Sequence, residues 1–319
     1  MTAYVIRRVL WGLVLLVIVC ALTFILFRVL PTGNPAVLRA GRDPQPHLIK
    51  EIERVLGLDK SLPTQFWDYI KNVFLHFNFG YSYYSQESVV TLIKERLPAT
   101  VSLAVGAAVI WVVAGLTVGI ISALKPRSLW DRTAMGTALV LISAPEFWLA
   151  LIALLLFSED IGKFKILPGA GSYVPISQDP WKWFTSLIMP WFVLAAGSAA
   201  VFARLMRGSL IETMKEDYIR TARAKGLTDR LVVRQGVRSA INPIITLLAL
   251  EIGVLLGGAV LVETVFNIPG VGRLAYNAIV HSDFEVIQGT VLLASMFIII
   301  ANIVADIAYA YLDPRVRYS

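Results

Sequence analysis

The sequence predicts an all-α integral membrane protein with six transmembrane helices, and three observations carry that reading. Of 319 residues, 57% are hydrophobic and only 16% charged, against roughly 45–50% and about 25% in soluble domains. The apolar excess falls in blocks, the pattern of membrane spans rather than of one large soluble core. Lysine and arginine gather in alternate connections between those blocks.

A helix needs about 20 predominantly apolar residues to cross about 30 Å of hydrocarbon. Six stretches qualify: Val9–Leu30, Val101–Leu124, Thr133–Phe157, Leu187–Met206, Ile244–Val265 and Val286–Leu312. The first follows Arg7 and Arg8, as a signal peptide would. Its apolar run exceeds the ~7–15 residues of a signal core and no small-residue cleavage site follows, so it reads as an uncleaved span. The organisation is therefore a first span over 1–30, a polar segment over 31–98, a five-helix core over 99–312 with a loop at 208–242, and a tail at 313–319.

Orientation follows from the short loops. Arg7 and Arg8, then Lys125, Arg127 and Arg132, then the 208–242 loop, then Arg315 and Arg317 share one face of a six-span chain. That face reads as cytoplasmic, with both termini on it. The opposite face has Arg273 in one short loop and Lys163, Lys165 and Lys182 in another. The net charge of +7 then reflects topology and the anionic inner leaflet. No nucleic-acid-binding motif accompanies it. His47, His76 and His281 lie far apart without ligand spacing, so no metal site is expected, and Cys20 reads as packing within the first span.

Segment 31–98 opens with turns ("PTGNP", "GRDPQP"). It continues as a short amphipathic helix near His47–Leu56 and a second near Pro63–Phe77, with Phe66, Tyr69, Ile70, Val73 and Phe77 at helical spacing. It is either a cap packed on the bundle or a docking surface for an external partner. Ionisable residues within spans are costly and mark function. Glu146, after Pro145, and Glu251 are deep enough to line an aqueous path. Glu263 and Asp306 lie near span ends, where a partner or nearby water would satisfy them.

The most basic stretch, "DYIRTARAKGLTDRLVVRQGVRSAINP", splits at Gly226. Before it, Ile211, Met214, Tyr218 and Ala222 fall on one apolar face. Glycine suits a left-handed helix stop. Thr228 is placed to cap a second helix with Leu231 and Val232 on its apolar side, and Asn242-Pro243 ends it and starts the next span. The pair either presents small residues to another protein or lies on the anionic leaflet through its arginines. No GxxxxGK[ST] occurs, so nucleotide hydrolysis would fall to another subunit.

At this loop the sequence resembles the permease subunits of binding-protein-dependent ABC importers, whose cytoplasmic loop carries the EAA motif. Ala222, Ala224 and Gly226 match that motif, with Arg220 and Thr221 in place of its first two letters. "DYIRTARAKGL" resembles the dipeptide and oligopeptide branch. So do "ERLPATVSLAV", "GGAVLVETVFNIPGVGRL", "DFEVIQG" and "NIVADIAYAYLDPRVR", in order along nearly the whole chain. Glu146 departs from the small or neutral residue usual after that proline.

The resemblance implies a type I ABC importer permease fold and a non-catalytic subunit that forms half of a translocation pathway. Its expected partners are a second homologous permease, two ATP-binding subunits, an extracytoplasmic solute-binding protein and membrane lipid, with no nucleic acid. ATP and Mg would be bound by the ATPases, and no cofactor by this chain. Asp217, Tyr218, Thr221, Ala222, Ala224, Lys225, Gly226 and Leu227 would couple to the ATPase. Glu146 and Glu251 would face the pathway. Glu263, Pro269, Gly270 and Gly272 would belong to the outer loop. Di- or oligopeptides are the expected cargo. The rival reading is an ion-coupled secondary transporter using the intramembrane carboxylates, a class in which internal repeats are common; no such repeat relates the first three spans to the last three.

Overall fold

The computed structural model describes residues 2–29, 37, 45–56 and 59–312. The turn-rich entry after the first span and the tail from residue 313 fall largely outside them. Thirteen helices make up nearly all of the regular structure of the described residues, which otherwise hold two isolated bridges, Tyr81 with Ser88 and Ser158 with Leu167. In order they are α1 (Thr2–Phe24, continued by a π-helical turn Ile25–Val29), α2 (Pro46–Leu56), α3 (Leu62–Leu75), α4 (Val89–Leu124), α5 (Leu129–Ser143), α6 (Glu146–Phe157) and α7 (Pro180–Thr213). Then come α8 (Asp217–Ala224), α9 (Asp229–Ala240), α10 (Asn242–Leu256), α11 (Val260–Val265), α12 (Val271–Val280) and α13 (Phe284–Leu312).

Four helices are long and apolar enough to cross a membrane alone, over Val5–Phe27, Val89–Leu124, Pro180–Thr213 and Phe284–Ile307; counting each of two bent pairs as one span gives up to six. Two expected spans are not single straight helices. The stretch Thr133–Phe157 breaks at Ala144-Pro145, and the axes of α5 and α6 differ by 106°. Proline has no N–H for the preceding turn and pushes the residue before it out of the helical region; Ala144 is extended at φ −82°, ψ 128°. The stretch Ile244–Val265 stops at Leu256. Helix α10, with 15 residues, reaches only about 22 Å at 1.5 Å per residue, and Gly258, at φ +121°, turns the chain into the separate α11.

The centre of the fold is the parallel packing of α4 on α7. Small residues let the two backbones approach: a Cβ on Gly115 would stand 2.9 Å from the Ala199 carbonyl oxygen, and one on Gly119 would stand 2.7 Å from that of Ala203. Around this seam Leu103, Trp111, Phe202 and Met206 are fully buried. The indole N–H of Trp191 donates to the Ser102 carbonyl at 3.0 Å. At the start of α7, Asp179 caps the helix by accepting the N–H groups of Trp181 and Lys182, both at 3.0 Å. These donors, that of Lys182 foremost, hold its carboxyl below the ordinary aspartate range.

Long-range contacts sort the elements to two ends. Arg8 pairs with Asp306 at 3.1 Å, so α1 starts where α13 ends. Arg207 reaches Asp131 with two bonds of 2.6 and 2.8 Å, placing the start of α5 beside the end of α7. Gly289 of α13 packs on Val89 of α4. One end therefore gathers the start of α1, the turn before α5, the α8–α9 pair and the close of α13. The other holds α3, the 76–88 segment and α11–α12.

Helix α3 caps this second end. Tyr69 and Val73 of α3 bury against Cys20 and Phe24 of α1 and Leu292 of α13, and Phe66 meets Phe24 edge-on at 5.3 Å. Phe77, expected on the buried face, is 68% exposed. The helix ends at Leu75, and Phe77 sits at φ +47°, out of phase with the stripe.

Candidate functional site

The α8–α9 pair is a compact knob with its own small core of Ile219, Ala222 and Val232, backed by Met214 and Leu227. A turn at Met214–Glu216 separates α7 from α8 and resets the apolar phase. Ile219 is fully buried, while Tyr218, expected on the apolar face, is 45% exposed. Likewise Val232 is buried and Leu231 is 46% exposed.

Gly226 is a left-handed stop at φ +81°. Its N–H donates to Arg223 at 2.9 Å and that of Leu227 donates to Ala222 at 3.3 Å, the paired bonds of a Schellman motif. Thr228 takes the N-cap position of α9 but makes no side-chain cap bond. Pro243 lies in the first turn of α10, whose axis bends 48° from α9. Asp217, Thr221, Ala224 and Lys225 are exposed and Leu227 is half-buried. Between the two helices lies a groove of about 520 Å³, with Tyr218, Thr221 and Lys225 on one side and Gln235, Arg238 and Ser239 on the other.

Glu146 and Glu251, 105 positions apart, fall on α6 and α10. Glu146 opens α6 and is exposed, because the Pro145 break turns the first residue of that helix outward. Glu251 on α10 is half-buried and accepts the Ser198 hydroxyl of α7 at 3.2 Å. Ser198 carried no sequence signal as a neighbour of Glu251.

Glu263 does not sit near water, one of the two ways it was expected to be satisfied; it is fully buried and has partners instead. The Thr100 hydroxyl donates to its Oε1 at 2.7 Å and the Arg273 N–H to its Oε2 at 2.8 Å. Thr100 in turn accepts the Val271 N–H at 2.8 Å. Glu263 and Thr100 thus satisfy the open N–H groups at the start of α12 and tie it to α4, the favourable charge at that end of a helix. Gly270 makes room: a Cβ there would stand 2.2 Å from the Glu263 carboxyl carbon. Pro269 precedes this close approach, and Gly272 packs on the backbone of Val260. Asp306 meets Arg8, as a satisfied carboxylate should. The Asp131–Arg207 bridge and the role of Thr100 went unseen in sequence, because helical periodicity gives a face and not a partner.

Long apolar helices, carboxylates at span depth and a basic two-helix knob together define a multi-pass membrane transport permease. The chain belongs to the binding-protein-dependent transport system inner membrane component family, whose profile matches residues 115–318; the corresponding N-terminal profile matches residues 1–104. It is 39% identical over 319 residues, covering all of both chains, to a putative peptide transport system permease protein of Brucella abortus. Over 320 residues it is 39% identical, with both chains fully covered, to the glutathione transport system permease protein of Escherichia coli K12. The same identity and coverage hold for the glutathione transport system permease protein of Pectobacterium atrosepticum over 319 residues. The protein is accordingly an ABC importer permease subunit of the inner membrane.

Proposed function

We propose that this subunit lines half of an import pathway for di- or oligopeptides, glutathione-sized peptides included, and transmits the stroke of two separate ATPases through the α8–α9 knob. ATP and Mg belong to those ATPases, and this chain binds no cofactor. A second permease completes the pathway, a solute-binding protein delivers cargo at the α11–α12 end, and both termini lie in the cytoplasm. The observation that carries this reading is the compact knob around Gly226, built on its own core beyond the end of α7. Its motion would tilt α7 and α10, the helices that bear Ser198 and Glu251. The transition would be a rigid-body change between two packed states. The outer loop from Glu263 through Pro269, Gly270 and Gly272 would hold the far end fixed to α4.

The peptide assignment rests on the names of the relatives together with full-length similarity. Gly226→Val tests the coupling role without adding charge. A β-branched residue at φ +81° costs about 1–2 kcal/mol and forces the stop to rearrange. Peptide uptake is expected to fall to background while the variant remains in the membrane at normal abundance. Wild-type uptake by that variant would refute the coupling role.

A further inference from the structure

We propose that the groove between α8 and α9 receives an acidic segment of the ATPase, with Lys225 and Arg238 as its charge partners. This rests on the coupling reading above and names the chemistry of that contact. From Asp217 to Ala240 the knob has six bases against two acids, Asp217 and Asp229. Arg220 pairs with Asp217 in the open, at 3.4 Å. Among the described residues no acid of this chain lies within ion-pair distance of Lys225 or Arg238. Both line the groove, with the Gln235 amide and the Ser239 hydroxyl beside them.

A wall of this kind is rich in donors. A carboxylate, which only accepts, is its complement, and a guanidinium engages one through two parallel bonds. The walls are fixed before any partner arrives, since the Gly226 stop and the Ile219–Ala222–Val232 core hold the two helices together, and preorganisation lowers the cost of binding. An anionic leaflet is the poorer occupant. A helix lying on a membrane needs an apolar face to sink into it, and α8 spends Ile219 and Ala222 against α9.

The test uses the full transporter captured through a tag on this subunit in neutral detergent, with retained ATPase measured as salt is raised from about 50 to about 500 mM. Wild-type retention is expected to fall as salt rises. Lys225→Glu with Arg238→Glu is expected to cut both retention and uptake about tenfold or more. The same charge change on the neighbouring loop, Lys125→Glu with Arg132→Glu, is expected to spare both. If the reversal does not accumulate, Lys225→Gln with Arg238→Gln carries the test, with weaker retention and a shallower salt response expected.

Undiminished retention by the groove variants overturns the proposal. So does an equal loss from the control pair, or a loss that appears only in anionic vesicles and not in detergent, which would assign the groove to lipid. If Gly226→Val abolishes uptake while the groove variants behave as wild type, the acidic contact fails and the coupling reading stands. Normal uptake by Gly226→Val removes the coupling reading itself.

Discussion

Glu263 shows how one side chain organises a whole corner of this protein. Its carboxylate is buried with the Thr100 hydroxyl and the Arg273 N–H as donors, and each donor left without an acceptor costs about 1–3 kcal/mol. Glu263→Ala should therefore destabilise the solubilised protein by about 2–4 kcal/mol, read as a lower thermal midpoint. Thr100→Val should be strongly non-additive with it, since both remove one network. An unchanged midpoint would show that the carboxylate carries no stability, and strict additivity that Glu263 and Thr100 act independently rather than as one network.

At this scale the sequence is only partly legible. Gly226 as a left-handed stop could be read directly, because glycine is the residue that accepts that conformation freely. That Glu263 would meet Thr100, 163 positions away, could not, because spacing along a helix says which way a residue points and nothing about what stands opposite. Tyr218 failed for a related reason: a three-residue turn shifts the phase, and Ile219 inherits the buried position.

At the scale of elements, the length of an apolar run was a good guide to where a helix lies and a poor guide to whether it is straight. Blocks of about 20 residues identify spans because the hydrocarbon has a fixed thickness. The breaks at Pro145 and Gly257-Gly258 interrupt the helix without interrupting the hydrophobicity, so composition does not register them. The α4–α7 seam makes a second prediction. Gly119→Ala places a methyl against the Ala203 carbonyl and Met206 and should destabilise by about 1–3 kcal/mol. Gly136→Ala in α5, where a Cβ meets nothing within 4 Å, should instead stabilise by about 0.5–1 kcal/mol through helix propensity. Thermal unfolding of the two variants in the same detergent separates them, and a similar shift in both would remove close approach as the basis of the seam.

The two ends of the molecule differ in chemistry. Arg8–Asp306 and Asp131–Arg207 gather the basic loops at one end with the α8–α9 knob, while the α11–α12 corner closes the other. The alternation of Lys and Arg along the sequence anticipates that division, since charge placement in short loops follows membrane sidedness. Coupling requires the knob to face the cytoplasm, where a nucleotide-driven motor can reach it. The direct measurement is labelling of a single thiol at an exposed site on the knob, Thr228→Cys in a Cys20→Ala background, with a membrane-impermeant maleimide. The predicted result is no labelling of intact cells and full labelling of inside-out vesicles. Full labelling of intact cells would place the knob outside and contradict the account.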